Sequence, residues 1–156
     1  MRLLEMESTR YGKKRVGKEK VAMGEQENTE LVQRIYGSFR DGDIPAMLDS
    51  LSEDVQWVTA EIEGVPTGGN RHGHEQVGQF FQTLSDTQEV RQFELREFVA
   101  QDDKVIALGH YAWHVKSTAR EWESDFAHVL SVRDGKITRF QEYANTAALA
   151  GAFREG

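Results

Sequence analysis

An α+β fold, with an antiparallel sheet and helices gathered on one face, is predicted by three observations. Residues 89–144 break into four long alternating stretches joined by tight turns, and strands linked so closely pair antiparallel. Helical apolar spacing lies outside that block, at 31–39, 77–84 and 147–153. Between the last two stretches stands Asp134-Gly135, a strong hairpin signal, because a two-residue type I′ turn needs positive φ at both positions. At 156 residues, 38% hydrophobic and 29% charged, the chain has room for one domain with a real core.

Residues 1–24 carry seven Lys/Arg against three Asp/Glu and show no sustained periodicity. They read as a disordered basic extension, with Met23 a usable start, and residues 25–156 as a single domain. The rest of the chain is acidic, with twelve Lys/Arg against twenty-three Asp/Glu. Such a body is poorly suited to nucleic acid, whose phosphates call for Lys and Arg. No apolar run is long enough to span a bilayer, so no membrane partner is expected. With no cysteine, disulfides, thiolate catalysis and Cys-based zinc sites are excluded, and a cytoplasmic location is the default.

The first helix begins near Glu25, with Asn28 or Thr29 as candidate caps and Leu31, Val32, Ile35, Tyr36 and Phe39 on its apolar face. Gly42 ends it, since glycine takes the left-handed cap without steric cost. Asp43 caps a second short helix with Pro45 in its first turn. Residues 52–54 read as a turn, 55–59 as a strand and 60–73 as a Gly-rich loop without a phosphate-binding pattern. A third helix starts near His74-Glu75, with Val77, Phe80, Phe81 and Leu84 at helical spacing. Strands follow at about 89–100, 104–116, 120–132 and 136–144, and Asn145 caps a last short helix. The order is α-α-β-α-β-β-β-β-α.

His128 is the leading site candidate. It lies mid-strand between Phe126 and Leu130, where a histidine serves as acid, base or hydrogen-bond donor, or as a bonded core residue. A three-residue turn at 117–119 pairs His110 with Phe126 and puts His110 and His114 on the face of His128; a slip of one residue puts them on the other. A metal is not expected, because His110 and His128 stand too far apart to converge on one ion. Asp134-Gly135 as a regular hairpin pairs Gln141 with His128 and Tyr143 with Phe126, so Gln141 and Tyr143 join His128 as catalytic candidates. Glu121, Glu123 and Asp125 share the opposite face. Tyr36, Trp57 and Trp113 are large and amphipathic, suited to lining a pocket or filling a core.

Several of these features together resemble one known family. They are the Gly42-Asp43 corner, the Val55–Trp57 strand, the Gly73-x-Glu75-x-Val77-x-x-Phe80-Phe81 helix and the Val132-Arg133-Asp134-Gly135-Lys136-Ile137 hairpin. They resemble the SnoaL-like polyketide cyclase branch of the nuclear transport factor 2-like superfamily, across about residues 27–153. Ketosteroid isomerase is similar in fold. The resemblance implies a strongly curved sheet wrapped around about three helices, a cone with an apolar pocket, often dimeric through sheet faces. Placed on this chain, the isomerase's general-base Asp falls near Thr59, its oxyanion Tyr on Ile35 and its oxyanion-hole Asp on His128. Asn145 stands where many relatives have Asp.

Two functions are therefore expected. One is a cofactor-free isomerase, cyclase or hydratase acting on a small apolar carbonyl compound. It uses His128 with Tyr143 and Gln141, and Trp57, Tyr36, Phe126, Trp113 and His110 bind the ligand. The other is a non-catalytic ligand-binding or dimeric interaction module of the same fold. A homodimer through the sheet is expected in both.

Overall fold

The computed structural model describes residues 24–155, so the basic extension lies outside the described residues except for Gly24. Ten elements follow in order: α1 (Glu25–Arg40), α2 (Ile44–Asp49), β1 (Leu51–Thr59), β2 (Gly69–His72), α3 (Gly73–Thr87), β3 (Gln88–Gln101), β4 (Lys104–Val115), β5 (Arg120–Arg133), β6 (Lys136–Ala144) and α4 (Thr146–Phe153). The strands form one six-stranded sheet in the order β2-β1-β6-β5-β4-β3.

This is the α+β architecture expected from the sequence, except that β1 starts at Leu51 and takes in residues 52–54, which read as a turn, and with two further differences of detail. The Gly-rich loop contains β2, which pairs antiparallel with β1 from Thr59↔Gly69 to Gln56↔His72. The central pair β1–β6 is parallel, so the sheet is mixed. Both follow from the chain path. From β1 the chain doubles back as β2 and passes through α3, and the hairpin β3–β4–β5–β6 then returns beside β1.

Burial alternates along β4 and β5, which gives the sheet an inner and an outer face. On the inner face pack Leu31, Val32, Ile35 and Tyr36 of α1, Met47 of α2, and Val77, Phe80 and Phe81 of α3. They meet Leu51, Val55 and Trp57 of β1 and Leu130, Ile137 and Phe140 across β5 and β6. A second apolar group, Tyr111, Trp113, Trp122 and Phe126, receives Ala148, Leu149 and Ala152 of α4. The last helix is held at that end by Thr118 Oγ1, which donates to Ala152 O at 2.6 Å, and by Arg120, which donates to Gly151 O at 3.1 Å.

The predicted caps divide. Asp43 Oδ1 accepts from Ala46 N at 3.1 Å and Asn145 Oδ1 from Ala148 N at 3.0 Å, as the short polar side chains suggest. At α1, however, Gly24 is the cap and Glu27 reaches back to its N–H at 2.7 Å. Asn28 is buried one turn inside the helix.

Two turns set the register. Asp134 (φ 53°) and Gly135 (φ 75°) form the expected tight hairpin, with Arg133 opposite Lys136. Between Ser131 and Val132 the ladder then shifts: Val132 faces Ile137, but Ser131 faces Arg139. Thr138 is thus an extra residue in β6, a β-bulge. The β4–β5 turn holds four residues, with Val115 opposite Arg120 and Ala119 at φ 61°. These two counts decide which side chains meet.

Candidate functional site

The inner face brings together four polar side chains that lie far apart in sequence. Ala107, His128 and Glu142 form one row across β4, β5 and β6. Tyr111 projects from the same face of β4, and Tyr36 comes from α1. Tyr36 Oη and His128 Nδ1 are 2.5 Å apart. His128 Nε2 lies 2.9 Å from Glu142 Oε2, and Tyr111 Oη donates to that same oxygen at 2.9 Å. The result is one chain, Tyr36–His128–Glu142–Tyr111. The other carboxylate oxygen, Oε1, has no hydrogen bond among the described residues.

Proton positions follow from the partners. The Nε2–H of His128 points at the carboxylate, so Nδ1 accepts from the Tyr36 hydroxyl. Burial, reinforced by the negative charge of Glu142, pushes the Tyr36 hydroxyl well above its ordinary pKa. Burial likewise raises Tyr111, with the charge and hydrogen bond of Glu142 adding to it. Both phenols therefore stay neutral donors. For Glu142, burial acts to raise the pKa. The hydrogen bonds from His128 and then from Tyr111 outweigh it and leave the carboxyl below its usual range. Glu142 is an ionised carboxylate with one oxygen saturated and the other open.

Phe126 orients this group from behind. Its ring stacks on His128 at 4.3 Å and on Tyr111 at 4.7 Å. Gly109 makes room for it: a Cβ there would lie 2.6 Å from Phe126 Cζ and 2.2 Å from Glu94 O.

Two cavities adjoin the polar chain. The inner one, about 70 Å³, is walled mainly by aromatic rings and reaches Tyr36, Trp57 and His128. The outer one, about 230 Å³, lies under α4 and the 60–68 loop. Thr59, Phe80, Leu84, Tyr111, Trp113 and Glu142 wall both. Glu142 is thus placed where the two chambers meet, its side chain 24% exposed. Trp57 is 3% exposed and its ring stacks on Phe140 at 3.9 Å. Its Nε1–H has no partner among the described residues. Leaving such a buried donor unpaired costs about 1–3 kcal/mol.

The structure sorts the sequence-derived candidates. His128, Tyr36, Trp57 and Trp113 stand around the inner chamber. Phe126 packs beneath His128 and does not line either chamber. Gln141 and Tyr143 do not meet His128, because the bulge at Thr138 moves the register by one residue. Gln141 faces Val129, Tyr143 faces Ala127, and Glu142 takes the place opposite His128. Both border the outer chamber, with Tyr143 55% exposed. His110 pairs with Asp125 and His114 with Glu121, since the β4–β5 turn has four residues where three were expected. His110 therefore lies on the outer face, bonded to Asp125 at 2.9 Å and Glu123 at 2.8 Å, away from His128. Thr59 is buried and donates to Thr67 O at 2.9 Å, which holds the loop rim.

Glu142 and Tyr111 were missed as a pair. A signal for Glu142 existed. Ile137 and Phe140 are both apolar and three residues apart, which a regular two-residue alternation cannot bury on one face. A bulge between them resolves the conflict and turns Glu142 inward. Tyr111 is two residues from Trp113 and shares its face.

Comparisons with known proteins agree with this geometry. The SnoaL-like domain family matches residues 32–140. A nuclear transport factor 2-like protein from Burkholderia xenovorans is 34% identical, covers 85% of this chain and 99% of its own, and superposes with a TM-score of 0.78. Another from Burkholderia pseudomallei is 25% identical over 84% of this chain and 98% of its own, with a TM-score of 0.74. The structure of TerC co-crystallised with polyporic acid is similar at 30% identity over 81% and 98%, with a TM-score of 0.71. Among curated proteins none matches the chain. The matched span starts within α1 ahead of Tyr36 and runs through the bulge to Phe140, so Tyr36, Tyr111 and His128 lie inside it and Glu142 two residues beyond it. On sequence and structure alike, the chain belongs to the SnoaL-like domain family.

Proposed function

We propose that this protein binds a small, largely apolar carbonyl compound in the paired chambers and moves a proton on it without a metal or organic cofactor. The observation that carries this reading is Glu142: an ionised carboxylate at the junction of the chambers, clamped through one oxygen, with the other unbonded. Oε1 takes a proton from the carbon beside the carbonyl. The C–H electron pair moves onto the carbonyl oxygen as an enolate, and Glu142 becomes a carboxylic acid. Where a C=C beside that carbon extends the enolate to a dienolate, returning the proton at the far carbon is an isomerisation. If the enolate carbon first closes on a second carbonyl, the proton goes to the new alkoxide, and the reaction is a cyclisation. His128 and Tyr111 hold Oε2, so Oε1 keeps its aim, and the aromatic walls exclude water.

Supporting the reading, some neighbours of this fold carry polyketide cyclase or isomerase in their names, and one was co-crystallised with polyporic acid. The working unit is a homodimer in this reading. Its seat is the outer sheet face, where Val99, Ile106 and Val129 align across β3, β4 and β5 and where Val99 and Tyr143 are 44% and 55% exposed. Charges of both signs flank that row, including Arg96, Glu94 and Asp125, a layout that a two-fold axis can match with itself.

The test uses 2-tetralone, an apolar ketone with acidic α-protons, in D2O. Proton NMR should show the wild-type protein exchanging those protons faster than buffer alone. Glu142→Gln keeps the shape and should lose about 10²–10⁴-fold of that rate. Equal exchange by both proteins would sink the catalytic role of Glu142. Binding without exchange would leave the non-catalytic ligand-binding alternative.

A further inference from the structure

Glu142 stands where the two chambers meet, and Gln88 walls the outer chamber at its other end. We infer that Gln88 selects the ligand: its side-chain Nε2–H donates a hydrogen bond to a second oxygen, at the end of the molecule away from the enolisable carbonyl. The inference rests on the ligand-binding part of the proposed function and not on its proton-transfer step.

Three facts converge on Gln88. First, it is a polar side chain only 4% exposed, on the wall of a cavity. Buried polar groups in folded proteins are nearly always hydrogen-bonded. Second, its amide is half used, and the used half is known. An indole nitrogen donates and cannot accept, so the atom that meets Trp122 Nε1 at 2.8 Å is the carbonyl oxygen Oε1. The NH2 group is the free half. Nε2 makes no hydrogen bond among the described residues, yet it is not a sealed atom as Trp57 Nε1 is, so it opens onto space. Third, that space is the outer chamber. Gln88 also borders the groove beside α1, but Trp122, which its amide end reaches, walls the outer chamber and not the groove. The backbone holds the side chain in place: Gln88 begins β3 opposite Val115, and its N–H donates to Leu84 O at the end of α3.

The sheet fixes how the two polar ends are disposed. Glu142 lies in one row with Ala107 and His128, and Gln88 in another with Val115 and Arg120, eight residues further along β4. Tyr111 spans the interval, its hydroxyl on Glu142 and its ring 5.4 Å from that of Trp122. The wall between them includes Phe80, Leu84, Trp113 and Leu149. At about 230 Å³ the chamber exceeds the roughly 150 Å³ that holds benzene, so it has room for a second ring. The matching ligand is an elongated apolar ketone, with its α-carbon at Glu142 and a second carbonyl oxygen at Gln88. A carboxylate in that far position would lose its water for a single neutral donor, so the far oxygen belongs to an uncharged group.

The experiment compares 6-acetyl-2-tetralone with 6-isopropenyl-2-tetralone, in which a CH2 replaces the far oxygen, on the full chain labelled with 15N. The Gln88 NH2 pair is identified by its nuclear Overhauser contact with the Trp122 indole N–H. With the acetyl ketone one Nε2 proton of Gln88 should move downfield, and the isopropenyl ketone should leave both close to their free positions. Gln88→Met keeps the length of the side chain and removes the donor. It should lower the preference for the acetyl over the isopropenyl ketone about three- to tenfold, the share owed to one hydrogen bond. Because both ligands are measured on one variant, any general loss of packing cancels. A Gln88 signal unmoved at saturating 6-acetyl-2-tetralone overturns the assignment. So does a preference that Gln88→Met leaves unchanged, which gives the oxygen to another donor, and so does failure of the acetyl ketone to bind. A moved signal without exchange of the ring α-protons upholds Gln88 and sinks the proton-transfer step. Exchange with an unmoved signal does the reverse.

Discussion

A carboxylate held by two donors on one oxygen gives up its charge late in an acid titration. Glu142 is such a group, its pKa held below the usual range by His128 and Tyr111 against the opposing effect of burial. Two consequences follow at the scale of single residues. Because the folded pKa lies below that of the unfolded chain, about 4.3 for Glu, the stability Glu142 contributes is fully present above that value. It is lost as pH falls through the folded pKa. Activity should follow the same acid limb. Tyr111→Phe removes one donor to Oε2, so Glu142 should protonate at higher pH. The acid limb of α-proton exchange should then shift upward while the rate at neutral pH stays within about tenfold of wild type. An acid limb unmoved by Tyr111→Phe would mean that this hydrogen bond does not tune the base. His128 was readable as a site candidate from its apolar neighbours. Its partner was not, because strand alternation is counted from a turn, and one unrecognised extra residue reverses it.

At the scale of elements, α4 closes the site from above. It has eight residues, and it roofs the outer chamber with Thr146 and Leu149. Its start depends on Asn145, whose side chain caps Ala148 N and whose own N–H donates to Ser124 Oγ at 2.9 Å. Asn145→Ala should cost about 1 kcal/mol in chemical denaturation and speed amide hydrogen exchange at 147–149. Asn145→Asp should restore both, since Asp caps equally well. Helices and long strands were legible here because apolar spacing and the turn residues Gly42, Asp43, Asp134 and Gly135 state them locally. The strand β2 was not, since Gly69–His72 has four residues and little apolar content. Its pairing with β1 is a tertiary fact, and so is the parallel β1–β6 contact.

At the scale of the whole molecule, the sheet separates two tasks. Its inner face carries the aromatic chamber and the polar chain. Its outer face carries the apolar row of Val99, Ile106 and Val129 within a border of charges. If that row seats a second copy, Val99→Glu combined with Tyr143→Glu should convert a dimer to a monomer in light scattering after gel filtration. Both residues are exposed in the single chain, so the fold should survive, and circular dichroism should be unchanged. A wild-type protein that is monomeric at tens of micromolar would remove the dimer from the proposal. The −7 net charge opposes association, so weak dimers should strengthen with added salt.

Thr138 has a bearing on how this chain is compared with its relatives. A strand is read in odd and even positions, and an inserted residue changes the parity of everything after it. An alignment that sets its gap before Thr138 matches one residue of β6 to a relative's cavity group, and an alignment that omits the gap matches its neighbour. Gln141 and Glu142 are those neighbours, one a neutral amide and the other a carboxylate. Whether a homologue is judged to keep the carboxylate or to have lost it thus depends on where a single gap is placed, and letter-by-letter identity in this strand is a poor guide to shared chemistry.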